Sequence, residues 1–202
     1  MHLDSIQLFS LFSVYACWFA FAAVFLLRRK PPKSAAQKRA PVSWWGIGVQ
    51  ALAYFGVFSF RRELAPQLFP LPQGLQDAMS LAAIPLAVVS VWLTVAAVRT
   101  LGKQWSVEAR LAEGHRLIVG GPYSHMRHPI YTAMLGLLIA SGLVKTSWPL
   151  LIAAVVLFSA GTAIRVRAEE KLLREAFGED FDAYVRYVPA ILPRFRSTGA
   201  RL

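Results

Sequence analysis

Apolar residues run along this chain in five long stretches, separated by polar and mostly basic segments. The stretches cover residues 6–27, 44–60, 78–98, 131–144 and 148–164. A helix that crosses a hydrocarbon core of ~30 Å needs about 20 apolar residues. The pattern therefore predicts an all-α, polytopic membrane protein with about five transmembrane helices, of which the fourth is short for a full span.

The last two stretches are joined only by Lys145, Thr146 and Ser147, which predicts a tight helical hairpin. Beyond residue 164 the sequence becomes charged while keeping a helical period. Apolar side chains recur there on one helical face, at Leu172, Leu173, Ala176 and Phe177. We expect the fifth helix to continue out of the membrane, to break near Gly178 and to end by Pro189.

The composition supports a membrane protein, because 56% of the 202 residues are hydrophobic and only 16% are charged, against about 25% in soluble domains. The net charge of +11 raises the question of nucleic acid. The basic residues lie mostly at the ends of apolar stretches, where the positive-inside rule and anionic headgroups explain them. We therefore expect membrane lipids as partners and no nucleic acid. The single cysteine, Cys17, excludes an internal disulfide.

Lysine and arginine in the short loops predict the orientation. The loop after the first stretch is strongly basic, which places the N-terminus outside and that loop in the cytoplasm. Residues 99–127 and all residues after 164 are then also cytoplasmic. Arg61 and Arg62 in the exterior loop run against this bias. No cleavable signal is evident, so we expect the first stretch to be retained.

The densest cluster of candidate functional residues precedes the fourth apolar stretch. Gly120 and Gly121 leave backbone N–H groups open to a carboxylate or phosphate, and Arg127 offers a forked cation for the same anion. Pro129 suits the first position of a helix. Arg127 and His128 then lie beside a helix N-terminus, which favours negative charge. The alternative is an interfacial anchor built from an arginine and aromatic residues.

A second cluster, Arg165, Arg167, Glu169 and Glu170, lies where the fifth stretch ends. Arg165 and Glu169 are four residues apart and Arg167 and Glu170 three apart, so each pair shares a helical face. Surface ion pairs would explain this spacing and contribute little stability. The location at the membrane boundary favours a functional site, because ionisable groups there are costly and usually paired or functional.

No cysteine and histidine set suits zinc. His115, His125 and His128 are too loosely spaced to predict a metal site, so no metal is expected, and only a mixed His/Glu site is left open. The sequence also has no P-loop and no Gly-x-Gly-x-x-Gly fingerprint. These absences argue against a soluble Rossmann methyltransferase or dehydrogenase.

Residues 101–193 resemble the isoprenylcysteine carboxyl methyltransferase family of integral membrane enzymes and its bacterial relatives. The matching elements are Leu101-Gly102, Trp105-Ser106, His115-x-Leu117, Gly121-Pro122-Tyr123, Arg127-His128-Pro129-x-Tyr131, Arg165-x-Arg167-x-Glu169-Glu170, Phe177-Gly178, Tyr184, Tyr187 and Val188-Pro189. Ala133 departs from the pattern, since the family usually has glycine there. The Arg-His-Pro-x-Tyr segment alone also occurs in sterol reductases and phospholipid methyltransferases, whereas the whole ordered series is more specific.

The resemblance implies a methyltransferase that uses S-adenosylmethionine and methylates a lipid-like, isoprenylcysteine-type carboxylate, an amphipathic acceptor that enters from the bilayer. Residues 1–99 are then an N-terminal transmembrane region of three spans, and residues 100–202 are the catalytic region. The cofactor pocket is expected at the cytoplasmic side, formed by the last hairpin and the C-terminal helix. The implied cofactor-binding residues are His115, Leu117, Val119, Gly120, Gly121, Tyr123, Arg127, His128, Pro129, Tyr131 and Glu170.

Arg165, Arg167, Glu169 and Glu170 are the candidate catalytic residues in this resemblance. An ionised carboxylate, with a pKa of about 4, needs no general base, and Arg165 or Arg167 would hold it. An amine acceptor needs a base, for which a glutamate is the candidate. Which glutamate meets the cofactor ammonium and which meets the acceptor stays open.

Three alternatives to this function are a phospholipid (phosphatidylethanolamine) N-methyltransferase, an NADPH-dependent sterol-type reductase and a non-enzymatic scaffold or lipid-binding protein. The reductases usually carry asparagine where Ile130 stands, which ranks that alternative lower. The short chain without long insertions favours a bacterial inner-membrane protein. Because prenylated proteins are scarce in prokaryotes, the natural acceptor need not be a protein.

Overall fold

The structure is a computed structural model and describes residues 5–27, 38–39, 41–60, 71–102, 110–111 and 116–193. Six α-helices make up most of this part of the chain. They are α1 (Ser5–Leu26), α2 (Ser43–Ser59), α3 (Gln73–Leu101), α4 (Pro129–Lys145), α5 (Trp148–Phe177) and α6 (Glu179–Tyr187). The all-α prediction is confirmed, apart from a ladder between the two-residue strands β1 (Lys38–Arg39) and β2 (Arg110–Leu111).

Three helices are long and apolar enough to cross a membrane by length and composition, namely α1, α3 and α5. Their most apolar windows have mean hydropathies of 2.0, 2.3 and 1.9. The helices α2 and α4 have 17 residues each, which is short for a full span. The structure thus indicates an integral membrane protein with three candidate spans among the described residues, and five crossings stay a prediction.

The predicted helix boundaries around the hairpin are confirmed. Helix α4 begins at Pro129, and α5 runs on past its apolar part to Phe177. Gly178 ends α5 with a φ of 51°, a left-handed conformation that favours glycine. Helix α6 follows at once and ends at Tyr187.

The helices pack through small residues, as membrane helices do when lipid and side chains are equally apolar. Helix α3 lies against α1 and α4, where Ala83 and Ala87 meet Val14, Leu137 and Ala140. Helix α2 lies against α5. The predicted regions 1–99 and 100–202 therefore share one core, and their division of labour stays a prediction.

Candidate functional site

The structure brings the two charged clusters of the sequence together in one site. In an antiparallel hairpin the start of the first helix lies beside the far end of the second, so the start of α4 faces the charged end of α5. Arg127 donates from Nε and Nη2 to Oε1 of Glu170 at 2.9 and 2.8 Å. The Arg127 and Glu170 side chains are only 11% and 15% exposed, so this ion pair is largely shielded from water.

His128 lies between the two carboxylates. Its Nε2 is 3.1 Å from Oε1 of Glu170 and its Nδ1 is 3.4 Å from Oε2 of Glu169. Burial by itself would lower the pKa of His128, but the hydrogen bonds and charges of Glu169 and Glu170 outweigh it and raise that pKa above the ordinary value. The two carboxylates therefore favour the charged imidazole, which carries a proton on each nitrogen.

Tyr131 connects this group of charges to Arg165. Its hydroxyl donates to Oε1 of Glu169, and its ring stacks on His128 with the centroids 5.6 Å apart. The guanidinium of Arg165 lies 4.7 Å above the centre of the same ring, a cation–π contact. Arg165 is 7% exposed and is thus an interior group of the site.

The segment after α6 closes over the start of α4. Backbone N–H groups of Arg127 and His128 donate to the carbonyls of Pro189 and Ala190, both at 2.9 Å. Nη1 of Arg127 donates to the Val188 carbonyl. The Val188 carbonyl thus uses part of the Arg127 guanidinium, which the sequence suggested for a cofactor anion. Val188-Pro189 was among the family elements, but carbonyl acceptors leave no side-chain signal in a sequence.

The glycine-rich turn precedes Arg127 in the chain and packs against α3. Gly121 has a φ of 59°, and a Cβ there would be 2.9 Å from Oγ1 of Thr100, so the turn requires glycine against α3. No described atom lies within 4 Å of where a Cβ on Gly120 would be. Gly120 is thus the glycine with room for a close ligand.

Tyr123 and Tyr184 tie this turn to α6. The Tyr184 hydroxyl donates to the Tyr123 carbonyl at 2.6 Å. Burial raises the pKa of both hydroxyls, so both stay protonated at neutral pH. The sequence placed Tyr184 in the family series but gave it no contact.

Arg167 separates from Arg165, although the sequence grouped them. Arg167 is exposed and lines an open groove along α5, with a volume of about 370 Å³, together with Glu170, Lys171, Arg174 and Glu175. Glu170 therefore belongs to both the buried charge cluster and the groove. Of the other predicted cofactor residues, Val119 is 47% exposed, Leu117 is partly buried and His115 lies outside the described residues.

Within the part of the chain that the structure describes, no group of three or more His, Cys, Asp or Glu side chains is arranged to hold a metal ion. Arg127 and His128 pair with Glu169 and Glu170 instead. The arrangement can orient anionic and cationic groups of a ligand and can accept or hold a proton at a glutamate.

The fold and the site together define a helical membrane protein with a charged site at one end of its terminal hairpin. Residues 79–180, half of the chain, match the family model described as phospholipid methyltransferase. The chain belongs to this family of membrane methyltransferases. The match includes both charged clusters and agrees with the predicted methyltransferase family, but it does not show the isoprenylcysteine type.

Two metal-resistance proteins are also similar to the chain. The nickel-cobalt-cadmium resistance protein NccN of Alcaligenes xylosoxydans xylosoxydans is 31% identical over 125 residues, which are 59% of this chain and 57% of that protein. The cobalt-zinc-cadmium resistance protein CzcN of Cupriavidus metallidurans is 30% identical over 96 residues, 47% of this chain and 44% of that protein. The chain thus spans about half the length of these relatives.

Proposed function

We propose that this protein uses S-adenosylmethionine to methylate a lipid-like acceptor at the membrane surface. One observation carries the proposal: within the family match, Arg127 and His128 of the α4 start and Glu169 and Glu170 of α5 form one shielded charge cluster beside an open groove. Such a cluster supplies both signs of charge for a zwitterionic ligand.

The groove is the proposed entry for the cofactor. Its volume is about 370 Å³, and its described lining residues all lie on one face of α5. Its basic side chains fit a carboxylate, and Glu170 fits an ammonium. Gly120, Tyr123 and Tyr131, which are also predicted cofactor residues, lie near the same end of the hairpin. When bound, this cofactor supplies a methyl group on a positively charged sulfur.

Arg165 is the proposed partner of the acceptor's anionic group, because it is buried and lies one turn before Glu169 on α5, toward the apolar part of that helix. An isoprenylcysteine-type carboxylate would take the methyl group on oxygen and would release no proton. The chain's task is then positioning and exclusion of water.

A phosphatidylethanolamine N-methyltransferase is the second candidate, and the family match favours it equally. Its amine nitrogen must lose a proton as it takes the methyl group. Glu169, which accepts from Tyr131 and lies beside His128, is the proposed base. Its side chain is 24% exposed, so a proton can leave toward water.

Calorimetry with S-adenosylhomocysteine tests the cofactor on detergent-purified protein. We expect binding that Glu170→Ala abolishes and that Lys145→Met, at the other end of the hairpin, leaves unchanged. Folded wild-type protein that does not bind at millimolar ligand would overturn the proposal.

Methyl incorporation from labelled S-adenosylmethionine then separates the acceptors. Incorporation into N-acetyl-S-farnesylcysteine supports the carboxylate class, and incorporation into phosphatidylethanolamine supports the amine class. NADPH oxidation without methyl transfer would instead support the NADPH-dependent reductase.

We further propose that the site and the C-terminus face the cytoplasm, with the N-terminus outside, in a bacterial inner membrane. The lysine and arginine bias of the loops supports this orientation. Reporter fusions after residues 27 and 202 should both report the cytoplasm. An external reporter at either position would contradict it.

A further inference from the structure

Helix α2 lies outside the family match, yet it contacts the site through one buried polar residue. Gln50 is 2% exposed. Its Oε1 accepts from Nη1 of Arg165 at 3.0 Å, and its Nε2 donates to Oγ1 of Thr162 at 2.8 Å. A buried amide in an apolar helix is costly unless it is hydrogen-bonded, and here both ends of the amide bind α5.

The two helices approach so closely that only glycine fits at their crossing. A Cβ on Gly46 would lie 2.4 Å from Cγ of Arg165 and 2.7 Å from the Gly161 carbonyl oxygen. A Cβ on Gly161 would lie 2.8 Å from the Gly46 carbonyl oxygen. The aliphatic stem of Arg165 therefore lies directly on α2, one helical turn from Gln50.

Three contacts together define where Arg165 points. Its stem rests on Gly46, its Nη1 binds Gln50, and its guanidinium covers the ring of Tyr131. Tyr131 also donates to Glu169, so Arg165 lies at the edge of the charge cluster. A neutral amide orients the guanidinium without adding a negative charge to it, whereas a carboxylate at this position would pair with it.

We propose that Gln50 is a positioning residue that holds Arg165 toward the anionic group of the methyl acceptor. The inference rests on the proposed function, and it extends the site to a helix that the family match does not include. The recognised group is a carboxylate or a phosphate, and the two acceptors named above distinguish them. Acceptor affinity should therefore depend on α2, while cofactor affinity should not.

The test compares Gln50→Leu with Gln76→Leu, a matched control on α3 whose amide donates to the Leu71 carbonyl away from the site. Losing a hydrogen bond to a charged group corresponds to about a tenfold effect, so we expect Gln50→Leu to raise the acceptor KM about tenfold. It should change kcat and the Kd of S-adenosylhomocysteine by no more than about twofold, which is small against that effect. Gln76→Leu should leave all three near wild type.

The Gln50→Glu variant tests the effect of a negative charge beside Arg165. The carboxylate keeps an acceptor for Arg165 but competes with an anionic substrate, so the KM of N-acetyl-S-farnesylcysteine or phosphatidylethanolamine should rise further than in Gln50→Leu. Inhibition by the uncharged carboxamide of N-acetyl-S-farnesylcysteine should change less. Gln50→Asn, whose shorter amide no longer reaches Arg165, should reproduce the KM effect if Gln50→Leu does not fold.

Equal KM values for Gln50→Leu, Gln50→Asn and wild type would overturn the inference while leaving methyl transfer intact. A parallel loss of cofactor affinity, kcat and melting temperature in these variants would also overturn it, because that result describes a structural residue. Wild-type protein without cofactor binding or methyl transfer would instead refute the proposed function itself, and the inference would fall with it.

Discussion

The cations at the two ends of the α4–α5 hairpin contact different kinds of groups. At the start of α4, Arg127 and His128 meet the carboxylates of Glu169 and Glu170. At the turn, Nζ of Lys145 donates to the Phe58 carbonyl at 2.5 Å and lies 4.8 Å above the ring of the same residue. Among the residues that the structure describes, one end is a network of opposite charges, and the other is one cation on neutral groups.

This difference separates a site from an anchor. A shielded network of paired charges is costly to assemble, and removing one partner leaves an uncompensated charge. A lone lysine on a carbonyl and a ring leaves only neutral groups behind when it is removed. Substitutions at the α4 start should therefore reduce stability and ligand binding or methyl transfer, whereas a substitution at the turn should reduce stability only, and by less.

Glu170→Gln should have the largest effect. It keeps the size of the side chain but leaves Arg127 and His128 with one carboxylate between them. We expect a loss of ~3 kcal/mol in unfolding free energy and at least about a thirtyfold loss of S-adenosylhomocysteine affinity, roughly 2 kcal/mol. Thermal unfolding in detergent and calorimetry measure the two effects.

Glu175→Gln is the matched control for this change. Glu175 is exposed and lines the same groove, so the same chemical change should cost less than about 0.5 kcal/mol there. Equal destabilisation by the two variants would contradict the distinction between the buried cluster and the groove.

The protonation of His128 should give the next largest effect. Its pKa is raised in the folded protein, so its contribution to stability is complete below the unfolded value of about 6.5. That contribution is lost as the pH rises through the raised folded pKa. The melting temperature of the wild type should therefore fall between neutral and alkaline pH.

His128→Gln removes this titration, so its melting temperature should be lower at pH 6 and should change less on going to alkaline pH. The difference between the two proteins should narrow as the pH rises. If the difference in melting temperature between the two proteins instead widens with pH, His128 is neutral in the folded state.

Tyr131→Phe should have a smaller and more local effect. The ring remains under Arg165, but the hydroxyl that donates to Glu169 is lost. We expect the methyl-transfer rate to fall about tenfold, or ~1.4 kcal/mol, with cofactor affinity nearly unchanged. An unchanged rate in single-turnover measurements would show that the Tyr131 hydroxyl has no role in methyl transfer.

Sequence periodicity predicted the helices because apolar length, Pro129 and Gly178 act locally. It also predicted both charged clusters, and the hairpin geometry alone places them side by side. It did not predict Gln50, because the contact of α2 with Arg165 depends on how two helices distant in sequence pack. It could not predict the carbonyls of Pro189 and Ala190, which any residue could supply. The missed groups are thus the ones whose role arises only from tertiary packing.

Lys145→Met should have the smallest effect and completes the comparison. Methionine keeps an unbranched apolar stem, so the packing on Phe58 persists while the hydrogen bonds to Phe58 and Tyr15 disappear. We expect a loss of ~1 kcal/mol in stability, because the groups left behind are neutral. Cofactor affinity and acceptor KM should match the wild type, since the change lies at the far end of the hairpin. A loss of cofactor affinity in this variant would show that the two ends are coupled, and the separation of site from anchor would then be wrong.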